Sequence, residues 1–177
     1  MTELRTVGAD DWQTMRGIRL DALREAPYAF ASTYAREAAF SEQTWRERAT
    51  SGISIVAYLP EFDRGPVGLV ASIQEIPGEL ELVSMWVRPQ ARGRQVGSAL
   101  VEAIVERARR SRVPRVHLWV TESNKPARGL YERCGFNPTG ERQPLPSDPA
   151  LMELALNRTV APKPDGGTLN RTVVPWS

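Results

Sequence analysis

Residues 87–100 read Val87-Arg88-Pro89-Gln90-Ala91-Arg92-Gly93-Arg94-Gln95-Val96-Gly97-Ser98-Ala99-Leu100. Pro89 ends the apolar run Glu79 to Val87, which alternates as a strand does. Arg92 to Ser98 then form a basic loop with two glycines, and beyond it Leu100, Val101, Ile104, Val105 and Ala108 make one apolar stripe at helical spacing. A strand, a glycine-bearing turn and a helix N-terminus together favour an anion, because the free N–H groups and the helix dipole point the same way. The loop is no Walker loop, since no Gly-Lys-Ser/Thr follows, and its glycine spacing does not fit a dinucleotide fingerprint.

Upstream of this segment, Asp10-Asp11 can cap a helix whose apolar residues Trp12, Met15, Ile18, Leu20 and Leu23 run up to Pro27. Residues 27–40 suit a loop with short helical turns, 41–50 a helix, and Ile53–Leu59 and Val67–Ile73 strands. Downstream, Arg107, Arg109, Arg110 and Arg112 crowd the end of the long helix, where its dipole favours cations. Val116–Val120 reads as a strand, 124–133 as a short helix closed by Gly135, and Phe136 and Leu151–Leu156 as the last strands. The expected organisation is one domain over residues 1–156 and a tail or arm over 157–177.

With 177 residues, 41% of them apolar and 25% charged, the chain can build an ordinary core, which excludes disorder and coiled coil as whole-chain readings. One cysteine, Cys134, and one histidine, His117, exclude a disulfide framework and leave zinc without its usual ligands, so no metal is expected. No apolar run is long enough to span a membrane and the N-terminus lacks a secretory pattern, so a cytoplasmic protein with no membrane partner is expected. Residues 1–87 hold 8 basic and 13 acidic groups, whereas residues 88–177 hold 15 and 8. Because 21 of the 23 basic residues are arginine, the basic half suits a phosphorylated ligand. No basic stretch is interleaved with aromatics, so nucleic acid is not expected as a partner.

Val87-x-Pro89-x-x-Arg92-Gly93-Arg94-Gln95-Val96-Gly97-Ser98-Ala99-Leu100 resembles the acetyl-CoA motif of the GCN5-related N-acetyltransferases, the GNAT superfamily. Leu118-x-Val120-x3-Asn124-x2-Ala127-x2-Leu130-Tyr131-x2-Cys134-Gly135-Phe136 is similar to that superfamily's second motif. The resemblance covers nearly all of the chain except the tail. It implies an α/β (α+β) GNAT fold: a central, mixed, mostly antiparallel sheet flanked by helices, its strands splayed at the acetyl-CoA site. It implies acetyl-CoA as the acetyl donor, with the N–H groups of Arg94, Gln95, Val96, Gly97 and Ser98 on the pyrophosphate and Arg92 and Arg94 adding charge around Gly93. The pantetheine arm would run along Met85, Trp86 and Val87, and an N–H near Val87 would polarise the thioester carbonyl. Asn124 either contacts the pantetheine or caps its helix, beside Ala127. Gln95 replaces the family's first motif glycine and is read here as an ordinary first-turn residue.

The same resemblance gives Tyr131 as proton donor to the departing thiolate and Glu81 as the base, with Glu79 in reserve. Period-two alternation carries Glu81 to the face of Met85 and Val87. His117 reads as structural, and Cys134 is not read as an acetyl carrier. The implied function is acetyl transfer to a primary amine of a small molecule by direct attack in a ternary complex. The alternatives are a protein or peptide N-acetyltransferase and a non-catalytic CoA-binding sensor. Arg19, Tyr28, Phe30 and Tyr34 are expected near the acceptor pocket, and a homodimer follows from the family pattern.

Overall fold

The computed structural model describes residues 1–161 apart from Arg64. Its elements are β1 (Glu3–Thr6), α1 (Trp12–Glu25), α2 (Tyr34–Ala38), α3 (Glu42–Thr50), β2 (Ile53–Tyr58), β3 (Gly68–Ile73), β4 (Glu79–Val87), α4 (Val96–Arg110), β5 (Arg115–Thr121), α5 (Lys125–Arg133), β6 (Asn137–Leu145) and β7 (Asp148–Thr159). All seven strands join one sheet in the order β1-β2-β3-β4-β5-β7-β6, antiparallel at every pairing except β4 with β5. A parallel neighbour needs a crossover, and α4 supplies it.

Each face of the sheet carries its own core. One buries the stripe Leu100, Val101, Ile104 and Val105 of α4 against Val70, Leu82 and Leu118. The other packs Met15, Ile18 and Leu23 of α1 and Trp45 of α3 against Val56, Leu69 and Trp86. These four α4 side chains on one helical stripe bury enough area to fix the helix's rotation, at about 1.5–3 kcal/mol per side chain. Ser41 caps α3, its Oγ accepting from Thr44 N at 3.2 Å. Asp11 does not cap α1 through its side chain; its Oδ2 accepts from Gly8 N at 3.2 Å and closes the turn before that helix.

Two strands differ from the sequence expectation. β6 runs over 137–145 despite Pro138, Gly140 and Pro144, because among the described residues it is an edge strand with no neighbour on its outer side. β7 begins at Asp148 and runs to Thr159, three residues past the expected domain boundary, pairing Asn157 with His117 and Thr159 with Arg115. The rest of the expected arm, residues 162–177, lies outside the described residues. Among the described residues no helix is long and apolar enough to cross a membrane.

Candidate active site

The parallel ladder between β4 and β5 covers only Glu79–Glu81 against Arg115–His117. Beyond it the two strands part, leaving the stretch from Leu82 to Val87 unpaired toward β5 over the α4 N-terminus. The cause is visible in β4 itself. Its register with β3 slips between Leu69/Trp86 and Ala71/Val83, and Ser84 sits at φ 59°. This bulge adds one residue to β4, bends it and reverses its alternation.

That reversal corrects one expectation from the sequence. Leu80, Leu82, Met85 and Val87 all pack on the α4 core, whereas Trp86 packs on the α1 core. Glu81, between Leu80 and Leu82, therefore faces the α1 side, opposite to Met85 and Val87. Trp86 likewise turns its ring away from α4, with Nε1 donating to Glu25 Oε2 at 2.8 Å, so only its backbone lies along the parted edge.

On the α4 side, Gln95 is the N-cap residue and adopts φ 63°, ψ 9°. It is thus a left-handed residue, not the ordinary first-turn residue expected, and the conformation costs a non-glycine residue about 1–2 kcal/mol. No side chain caps the helix, and its first internal bond is Ala99 N to Gln95 O at 3.0 Å. The first-turn N–H groups of Val96, Gly97 and Ser98 are therefore free of helical partners and point outward with the dipole of a 15-residue helix. Gly93 at φ 77° turns the chain into this nest. A Cβ on Gly97 would come within 3.0 Å of Leu130 Cδ2 and 3.4 Å of Met85 Cε, so only glycine lets α4 approach α5 and β4 this closely.

The two loop arginines point to different partners. Arg92 donates from Nε to Val87 O at 3.0 Å and from Nη2 to Glu25 Oε2 at 2.8 Å. Arg94 pairs with Glu61 at 2.6 Å and lies over the Phe62 ring. Arg88 pairs with Asp21 at 3.0 Å. The loop is thus tied to the last turn of α1 by two ion pairs and an indole bond. Asn124 caps α5, its Oδ1 accepting from Ala127 N at 3.3 Å. Tyr131, 5% exposed, packs edge-on to Phe136. Burial, with the nearby Cys134, pushes its phenol well above the ordinary range, so it keeps its proton at neutral pH. Cys134 is buried too, and burial with the charge of Glu102 raises its thiol, the reverse of what a nucleophile needs.

The α1 side differs in character. Glu81 is half-buried, and burial, then the charges of Glu75 and Glu153, raise its carboxyl above the usual range. Glu153 of β7 lies opposite Thr121 of β5 and is 6% exposed; burial raises it against the hydrogen bond from Gln143 Nε2 at 2.7 Å. His117 pairs in register with Glu81, stacks edge-on with Trp119, and is held neutral chiefly by burial. The loop after α1 covers this face: Thr121 Oγ1 donates to Tyr28 O at 2.6 Å, and Ser147 Oγ donates to Phe30 O. Arg19 does not reach this face freely. It is 5% exposed and bound bidentately to Glu37, at 2.9 Å twice, under the Phe30 ring. It supports the wall; Tyr28 and Tyr34 are exposed.

Sequence reasoning missed Glu25, Glu153, Gln143 and the bulge at Ser84. Glu25 did carry a signal, since an acid in the last turn opposes the helix dipole and needs an outside partner. Glu153 is an acid set inside the apolar run Leu151–Leu156. Nothing in Val83-Ser84-Met85 announces a bulge. Among the described residues no group of three or more His, Cys, Asp or Glu side chains could hold a metal ion.

Fold and site together define an α/β protein that offers a helix N-terminus to an anion and a bare strand edge to an extended ligand. Residues 16–136 match the acetyltransferase (GNAT) family, and the chain belongs to that family. It is 30% identical over 142 residues to mycothiol acetyltransferase of Brachybacterium faecium, covering 72% of this chain and 43% of that protein. The chain spans less than half the length of the curated relatives it matches. The fold is shared with the GNAT-family acetyltransferase of Streptococcus pneumoniae at TM-score 0.72, 15% identity and coverage of 91% and 100% of the two chains. It is shared too with the ribosomal-protein-S18-alanine N-acetyltransferase of Escherichia coli, at TM-score 0.66, 18% identity and 93% and 97% coverage.

Proposed function

We propose that this chain transfers the acetyl group of acetyl-CoA to a primary amine of a small molecule by direct attack. The observation that carries the reading is the parting of β4 from β5 directly over the uncapped N-terminus of α4. The donor's chemistry fits the residues present. Its pyrophosphate suits the first-turn N–H groups of α4, with Arg94 near enough in the loop to exchange Glu61 for a phosphate. Its peptide-like arm suits the unpaired edge at Met85 and Val87, where an N–H can polarise the thioester carbonyl. Acetyl-CoA supplies an acyl carbon already activated by a thiolate leaving group.

The chain's own groups do the rest. Tyr131 keeps its proton at neutral pH and is suited to donate it to the departing sulfur. Glu81, raised by burial and neighbouring charge, is suited to take the proton of the attacking ammonium at near-neutral pH. It does so from the α1 side, so donor and acceptor meet through the parted strands. Glu79 is paired with Arg115 at 2.5 Å, which makes it the poorer base. Cytoplasmic location and a homodimer accompany this reading as expectations.

A peptide N-terminus is the second acceptor reading, supported by the fold shared with the S18-alanine N-acetyltransferase. Thiol release from acetyl-CoA with a panel of small amines and peptides tests both. Release that depends on a small amine supports the first reading, and release with peptides alone supports the second. Acetyl-CoA binding without release on any acceptor would leave only the sensor reading.

A further inference from the structure

Glu25 ends α1, where an acid opposes the helix dipole and gains only from a partner outside the helix. One of its oxygens, Oε2, accepts from Trp86 Nε1 and from Arg92 Nη2, each at 2.8 Å. Arg92 reaches back with Nε to Val87 O at 3.0 Å. Two consecutive residues of the parted strand edge are thus tied to α1, Trp86 by its indole and Val87 by its carbonyl through Arg92. Just beyond Glu25 the chain enters the loop that covers the α1 side, where Tyr28 O accepts from Thr121 Oγ1 at 2.6 Å. Arg94 stands differently. The two arginine side chains are about equally exposed, 48% for Arg92 and 50% for Arg94, so their partners are what separates them. Glu61, the partner of Arg94, lies in the turn after β2 and is itself 48% exposed, and an ion pair of that kind is worth little and exchanges readily. Arg92 is joined to a backbone carbonyl and to a carboxylate that also holds a buried indole.

A guanidinium is a planar fork, and in Arg92 the edge formed by Nε and Nη2 is turned inward, onto Val87 O and Glu25. We propose that Glu25 and Arg92 are positioning residues for the thioester arm of the donor. They fix the strand edge at Trp86 and Val87 against α1, while the side-chain charge that meets the donor's pyrophosphate comes from Arg94. This rests on the acetyl-CoA reading, and it departs from the motif resemblance, which gives both arginines to the pyrophosphate. The arm hydrogen-bonds to the strand edge, and its thioester carbonyl must meet an N–H near Val87. A small displacement of that edge therefore misaligns the carbonyl without touching the phosphates.

ADP carries a pyrophosphate without the arm, so calorimetry of the full chain with ADP and with acetyl-CoA reads the two halves of the donor separately. Arg92→Gln and Glu25→Ala are each expected to weaken acetyl-CoA about tenfold and to leave ADP within about twofold. Arg94→Gln is expected to weaken both ligands by the same factor. Arg92→Lys keeps the charge but not the two-ended bond, so it is expected to fail as Arg92→Gln does, whereas a residue acting by charge alone would be rescued. The double variant of Glu25→Ala with Arg92→Gln is expected to lose no more than either single one, because both act through one cluster. Equal losses of ADP and acetyl-CoA in Arg92→Gln overturn the proposal, and so does full acetyl-CoA affinity in Arg92→Lys or in Glu25→Ala. The two residues lie on different elements, so if a variant at one does not fold, the other decides. A wild-type chain that binds neither ligand sinks the acetyl-CoA reading and the proposal with it. Acetyl-CoA binding without thiol release sinks acetyl transfer alone, and the split between ADP and acetyl-CoA still decides the proposal.

Discussion

The two sides of the parted strands solve opposite electrostatic problems. Around the basic loop the charges are paired among the described residues: Glu25 of α1 binds Arg92 and Trp86, Asp21 of α1 binds Arg88, and Glu61 binds Arg94. What is free there is backbone, the N–H groups of the first turn of α4. On the α1 face of the sheet stand two carboxyls that burial raises, Glu81 and Glu153, the second accepting from Gln143 Nε2 at 2.7 Å. A nest of N–H groups gains by taking an anion, and an uncompensated carboxylate gains by taking a cation. In the proposed reaction the sheet would separate an anionic donor from an amine acceptor by offering backbone N–H groups on one side and carboxyls on the other.

The largest effect expected from breaking this arrangement is on stability. Glu37 is fully buried; burial raises its carboxyl, but the hydrogen bonds and charge of Arg19 and the charge of Arg48 outweigh that and hold it below the ordinary range. Glu37→Ala leaves Arg19 buried without its partner and is expected to cost about 3–5 kcal/mol, read as a shift in denaturation midpoint. Because the folded pKa is depressed, the contribution of Glu37 is present above the unfolded carboxylate pKa and is lost as pH falls through the folded value. A variant of unchanged stability would mean that the α1–α2–α3 wall stands without this triad.

Chemistry comes next. Tyr131→Phe is expected to lower kcat about 10²-fold with little change in donor affinity, and an unchanged kcat would reassign the ring to packing against Phe136. Glu81→Gln is expected to lower kcat/KM by a similar factor of about 10². In the wild-type protein the rising limb of the pH profile then lies above the usual carboxylate range, because a base acts only when deprotonated and Glu81 is raised. Glu153→Gln removes a negative charge and moves that limb down. A limb that stays in place would separate Glu153 from the base.

A smaller change sharpens the α4 side. Glu25→Ala frees Arg92 and the Trp86 indole and is expected to raise the KM for acetyl-CoA about tenfold, more than it lowers kcat, as loss of one charge-assisted contact network would. An unchanged KM would make the clamp structural only. Least of all, Gln95→Gly removes the left-handed strain and is expected to stabilise the fold by about 1 kcal/mol, with an unchanged denaturant slope.

Much of this was legible before the structure, and the reasons are local. The apolar stripe of α4, the punctuation by Pro89 and Gly93, and the short runs of β2, β3 and β5 bounded by turn residues are local signals that neighbours rarely override. β6 was not legible, because Pro138, Gly140 and Pro144 are acceptable only on an edge, and edge position is a property of the whole sheet. The face of Glu81 was misread for a similar reason: one inserted residue at Ser84, at φ 59°, shifts the alternation beyond it, so that Glu81 faces away from Met85 and Val87. Gln95 was misread because glutamine seldom adopts positive φ, so the sequence pointed away from what the turn requires.

Titration of the purified chain with acetyl-CoA by calorimetry, alongside Gly97→Val, tests the two-sided account most directly. Valine at Gly97 would thrust a side chain at Leu130 and Met85 at the mouth of the N–H nest. The account predicts binding by the wild-type chain and a loss of at least tenfold in a folded Gly97→Val variant. Absence of binding by the wild-type chain, or equal affinity in both, would contradict it.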